Sequence, residues 1–296
     1  MVSSDLEEVV FSSYIGGSGT EFPGEICVTG DNSFLVSGST SSVDFPVTEG
    51  CIRSEPLGEH DNFIAKISPS RELVACTYIG GSDVDHTFGL CEGPDNTIVS
   101  VGRTWSDDYP VSADALQDEY SGVEVDGFLT IFGEEGTEVI YSTYYGRDSW
   151  DSLLQVNMDE KDRLVVTGFV LSGGFETVNA FQSEYKGSSD IVLMVWGDEI
   201  ELITLLGSYS SEHPFEQILD EGTIYVVGQT ESTSFPVSVD TYQGSHGGQK
   251  DGFIWVFDYD EYLAEDRSIQ PLGVNLVKYT PYIVVLGAVA AWFIVI

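Results

Sequence analysis

The sequence predicts an all-β fold: a β-propeller with four blades of four antiparallel strands each. Three observations predict it. A short string ending in Gly recurs four times at near-constant spacing, each copy holds four strand-forming runs bounded by turn residues, and no stretch before Tyr259 carries a helical period.

The recurring string reads Ser13-Tyr-Ile-Gly16, Thr77-Tyr-Ile-Gly80, Thr143-Tyr-Tyr-Gly146 and, more faintly, Thr204-Leu-Leu-Gly207, so its glycine returns every 61 to 66 residues. Other columns keep the same beat. Gly38, Gly102, Gly168 and Gly228 each close an apolar run, Phe45-Pro46, Tyr109-Pro110 and Phe235-Pro236 recur with Phe175-Glu176 as the deviant, and Asp61, Asp126, Asp190 and Asp251 precede aromatic or aliphatic residues. In the second copy the strands are predicted at 89–92, 98–103, 127–132 and 139–145, where Val, Ile, Tyr and Thr concentrate between Gly, Asp and Pro. A short helix is expected in the loop after each Phe-Pro column, around 113–120 in the second copy.

These repeats divide residues 1–258 into copies at 16–79, 80–145, 146–206 and 207–258. The first copy's leading strand, residues 7–15, has no blade before it, while the last copy lacks that strand. The N-terminal strand is therefore expected to complete the C-terminal blade and close the ring. Residues 259–279, with Asp260, Glu261, Glu265, Asp266 and a Pro271-Leu-Gly turn, read as a linker. Residues 280–296 form a hydrophobic tail, helical in this reading. From Tyr282 to Ile296 no residue is charged, and the tail is read as a membrane anchor. At about 1.5 Å per residue a helix of that length falls short of a bilayer core of roughly 30 Å. A span continuing past Ile296 and a buried terminal strand therefore stand beside the anchor reading. The opening Met1-Val-Ser-Ser-Asp-Leu-Glu-Glu has neither the basic nor the apolar region of a secretory signal.

With 49 acidic and 11 basic residues among 296, the formal charge is −38. Nucleic acid is excluded as a partner, because scattered cations cannot replace its counterions. The same balance disfavours adsorption to anionic headgroups and suits a saline or divalent-rich exterior. Hydrophobic residues at 42% argue against disorder.

The columns together resemble the bacterial and archaeal SBBP β-propeller repeat, clearest at Gly38-Ser-Thr-Ser-Ser-Val-Asp-Phe-Pro46, then at Gly102-Arg-Thr-Trp-Ser-Asp-Asp-Tyr-Pro110 and Gly228-Gln-Thr-Glu-Ser-Thr-Ser-Phe-Pro236. The third copy, Gly168-Phe-Val-Leu-Ser-Gly-Gly-Phe-Glu176, has drifted. The resemblance spans roughly residues 7–258. It implies an envelope-attached propeller at the cell surface and carries no catalytic residue set. Such repeats usually form larger rings, so the chain is expected either to close on four blades or to join a larger assembly.

An acidic residue precedes each first strand: Glu21, Asp85, Asp151 and Glu212, with Asp83 and Asp148 nearby. Around a common axis these carboxylates suit Ca²⁺ or another hard cation at the channel mouth. The competing reading has each acid capping its own turn. His86 and His213 follow that column in alternate copies and suit a transition metal in the same place, whereas His60 and His246 look solvated. The Asp61 column reads as turn caps. Cys27 and Cys91 share a column and read as small buried hydrophobes, and the four cysteines favour no particular disulfide. No nucleophile, P-loop or dinucleotide motif occurs.

The expected function is a non-catalytic surface module, cation-stabilised, that binds protein or glycan through loops carrying Tyr120, Tyr185, Tyr242, Gln117, Gln182 and Gln243. A self-assembling envelope component is one alternative. A hydrolase or lyase using the acids and His86 or His213 is the other.

Overall fold

Alternating Val, Ile, Tyr and Thr cannot bury as helices, and Asp, Gly and Pro break them into runs of about seven residues that pair as antiparallel ladders. The computed structural model describes residues 11–122, 124–264 and 284–286. Four meandering sheets result, each with its strands in chain order. The first holds β1 (Glu21–Val28), β2 (Phe34–Thr40), β3 (Asp61–Ile67) and β4 (Leu73–Ile79). The second holds β5 (Asp85–Glu92), β6 (Ile98–Thr104), β7 (Asp126–Phe132) and β8 (Val139–Tyr145). The third is built from β9 (Ser152–Met158), β10 (Leu164–Val170), β11 (Asp190–Trp196) and β12 (Ile200–Leu206). The fourth has β13 (Glu212–Asp220), β14 (Thr223–Thr230), β15 (Asp251–Asp258) and β16 (Val284–Leu286). The fold is thus all-β, as the sequence indicates.

The sheets pack in succession through their first strands, β1 against β5, β5 against β9 and β9 against β13. Three cores fill the junctions. Leu35, Ile64 and Ile79 meet Leu90, Ile98 and Phe128 at the first. Val99, Val101 and Leu129 meet Leu153, Val156 and Val166 at the second. Val165, Leu193 and Val195 meet Ile224, Val226 and Trp255 at the third.

Each first strand bulges against its second strand near a glycine of the Gly38 column. There the two backbones approach so closely that a Cβ on Gly102 would strike the His86 carbonyl oxygen, and one on Gly228 the His213 carbonyl. The Tyr column ties the loops down. Tyr78 Oη donates to the Ser42 carbonyl at 2.6 Å and accepts from Phe45 N, and Tyr144 Oη donates to the Ser106 carbonyl at 2.9 Å.

Three expectations are corrected. Residues 113–120 form no helix, because the Leu116 and Gln117 amides donate to Tyr141 Oη and Thr143 Oγ1 and hold the chain extended along β8. The fourth sheet takes its last strand from Val284–Leu286, whose apolar run pairs with β15. Of the predicted closing strand, residues 11–15 are not in a sheet and 7–10 lie outside the described residues. The segment read as a linker begins with a helix, α1 (Tyr259–Ala264), and its Tyr259 and Tyr262 are buried in the third core. Apart from Val284–Leu286, the hydrophobic tail lies outside the described residues, as does the rest of the linker after Ala264. No helix among the described residues is long and apolar enough to cross a membrane.

Candidate functional site

The acidic column opens or directly precedes the first strands and is turned into its own loops. Asp85 accepts from Gly81 N at 2.8 Å and Ser106 Oγ at 3.3 Å, and Asp151 accepts from Arg147 N and Leu171 N. Glu212 accepts from Ser208 N, Ser208 Oγ and Thr230 Oγ1, and Glu21 from Gly17 N and Thr40 Oγ1. Asp85, Asp151 and Glu212 are fully buried. Burial pushes the Asp85 carboxyl up to about 7 and the Asp151 carboxyl up to about 6. Asp83 and Asp148 are exposed beside them. Among the described residues, no group of three or more His, Cys, Asp or Glu side chains is placed to hold a metal ion.

The Asp61 column caps the loops that enter the third strands. Asp61 accepts from Leu57 N and Gly58 N, Asp126 from Ser121 N and Gln117 Nε2, Asp190 from Lys186 N and Gln182 Nε2, and Asp251 from Gly247 N and Gln243 Nε2. The loop amides expected to meet a ligand are therefore occupied in packing. Tyr120 donates to the Glu124 carbonyl and lines a groove of about 620 Å³ with Arg147 and Phe175, while Tyr242 stays exposed.

The two histidines of the acidic column do not meet. His213 lies 4.4 Å from the Phe169 ring and 5.2 Å from Phe215, with Nδ1 2.9 Å from the Pro214 carbonyl. His86 enters a different cluster. Its ring is 5.9 Å from Phe22, 5.9 Å from Trp105 and 6.1 Å from His60, and Nδ1 is 2.7 Å from Ser39 Oγ. His60, expected in solvent, is half-buried against Phe22, with Nδ1 sealed and unpaired.

Arg103, the cross-strand partner of His86 on β6, occupies the middle of this cluster. Its guanidinium carbon lies 5.0 Å from the Phe88 ring centre and 5.1 Å from those of Trp105 and Trp150. Trp105 and Trp150 meet edge to face at 5.6 Å. The Arg103 side chain forms no hydrogen bond or ion pair among the described residues, and its Nε is buried without a partner. Burial, the Arg103 charge and His60 together press the His86 imidazole down to about 4, so it is neutral at pH 7. The site therefore holds one cation without a partner among the described residues, the neutral His86 imidazole and flat aromatic walls in a strongly acidic chain.

Columns common to all four copies do not mark this cluster. The signal lay in their exceptions. The position of Trp105 is Ser41, Leu171 and Glu231 elsewhere, and that of Arg103 is Ser39, Phe169 and Gln229. No family model matches the chain, and no curated protein matches it.

Proposed function

We propose that the chain is a non-catalytic β-propeller module of the SBBP type, displayed at the cell surface, and that it binds glycan at the Arg103 cluster. One observation carries this reading: the Arg103 guanidinium, caged by three aromatic rings, has no counter-ion among the described residues, in a chain with 49 acidic residues. A half-buried charge without a partner costs free energy, of which cation–π contacts return about 1–2 kcal/mol each. Its Nη N–H donors remain for hydroxyl or carboxylate oxygens of a sugar, and the indoles offer the stacking faces that pyranose rings use. Successive sheets packed through their first strands support the propeller, and the spread acidic surface suits an extracellular setting. A panel of neutral and uronic-acid oligosaccharides, titrated calorimetrically, tests the reading. Binding is expected to fall at least tenfold in both Arg103→Ala and Trp105→Ala. Equal binding by the wild type and both variants overturns the site.

A further inference from the structure

The second and fourth sheets carry the same short pattern at the head of their first strands, His86-Thr-Phe88 and His213-Pro-Phe215. The first and third sheets read Phe22-Pro-Gly24 and Ser152-Leu-Leu154 there. In both sheets that carry the pattern, the phenylalanine sits in a bulge, Phe88 between Thr87 and Gly89 and Phe215 between Pro214 and Glu216. A bulge takes its residue out of the ladder and re-aims the side chain. The histidine is paired across the ladder with a polar residue of the second strand, Arg103 in one sheet and Gln229 in the other. Cross-strand partners share one face of a sheet, so His213, Phe215 and Gln229 repeat what His86, Phe88 and Arg103 form.

The fourth-sheet set has unused bonding capacity. His213 Nδ1 is 2.9 Å from the Pro214 carbonyl, which can only accept, so Nδ1 carries the proton and Nε2 keeps a lone pair. Burial first, and then the Lys250 and Arg103 charges, hold this imidazole below its ordinary value and neutral at pH 7. The Gln229 side chain forms no hydrogen bond among the described residues. Phe215 is 53% exposed, and Phe169 lies against the other rings, 4.4 Å from His213. Phe169 also joins the two clusters: its ladder partner is Ser152, two residues after Trp150 of the Arg103 cluster.

We propose that the glycan site continues from the Arg103 cluster into a second subsite at Phe169, His213, Phe215 and Gln229, which takes an uncharged sugar unit of the same oligosaccharide. This inference rests on the glycan reading of the Arg103 cluster. An amide stands where the second sheet has a guanidinium, so hydroxyls find donors and acceptors while a carboxylate finds no free cation. Lys250, whose charge also reaches His213, is paired with Glu231 at 2.8 Å. The chain's charge of −38 likewise disfavours a carboxylate on every unit. The ligand is then an oligosaccharide joining an acidic unit to uncharged ones.

Calorimetric titration of the full chain with free glucuronic acid, and with a tetrasaccharide alternating glucuronic acid and an uncharged sugar, tests this. Wild type is expected to bind the tetrasaccharide at least about tenfold tighter than the single sugar, because a second contact on a linked ligand adds to the first. Phe215→Ala is expected to bring that ratio down to about threefold or less, and Gln229→Ala to lower it in the same direction. Trp105→Ala should weaken both ligands alike. A wild-type ratio near one overturns the second subsite and leaves the Arg103 site standing, as does a ratio that both Phe215→Ala and Gln229→Ala leave intact. Absence of binding by either ligand overturns the second subsite together with the reading it rests on.

Discussion

Two arginines show how differently the same side chain is employed. Arg163 is bound by Asp159 at 2.7 Å, Asp260 at 2.6 Å and Glu201 at 3.1 Å, and lies under the Tyr259 ring. Removing it takes the counter-ion from the buried Asp159 carboxylate, so Arg163→Ala is expected to cost about 3 kcal/mol in urea unfolding. Arg103 has no such partners. Arg103→Met should leave stability within about 1 kcal/mol of wild type, or raise it, since it removes a sealed donor with no acceptor. That outcome is what the proposed glycan site requires of Arg103, and a loss of more than about 2 kcal/mol would assign it to the fold instead.

Asp85 carries the clearest dependence on pH. Its carboxyl titrates near 7 in the folded chain and near 3.8 when unfolded, so between those values the native state binds more protons. Stability therefore rises as pH falls from 8 to 6, by about 1.4 kcal/mol from this residue alone. Asp151 and Asp190, both pushed by burial up to about 6, add in the same direction. His86 opposes them only below about pH 6.5, where the unfolded imidazole gains a proton that the buried one refuses. Chemical denaturation at pH 8 and pH 6 should show this gain, and Asp85→Asn should remove most of it. A loss of stability over that interval would contradict the assignment.

At the scale of the element, the strands were largely legible because they are dictated by local pattern. Residues 98–103, 127–132 and 139–145 fall within a residue of β6, β7 and β8. β5 begins four residues earlier than the predicted 89, since its bulge interrupts the alternation that marks a strand. The loop at 113–120 was illegible for a different reason: its amides are claimed by Tyr141 and Thr143 on a distant strand, which local propensity does not register. The same holds for α1, short by any helix rule and fixed by burial of Tyr259 and by the Arg163 network. The acidic columns are periodic in the sequence, and their carboxylates accept from the amides and hydroxyls of their own loops, which identifies them with the scaffold. The Gly38 column makes the point testable. Gly102→Ala forces a methyl group against the His86 carbonyl and should destabilise by more than 2 kcal/mol, with the aromatic cluster distorted because His86 and Arg103 flank that contact.

At the scale of the whole molecule, the charge of −38 works against any association between copies and against acidic polymers. The recurring columns build the four sheets, and the departures from them at Arg103 and Trp105 mark the proposed glycan site. The most direct test is tryptophan emission during an oligosaccharide titration. Trp255 is wholly buried in a core, whereas Trp105 and Trp150 form the site wall. The account predicts a saturable change in emission that disappears when Trp105 and Trp150 are both replaced by Phe. A saturable change of undiminished size in that double variant would contradict it.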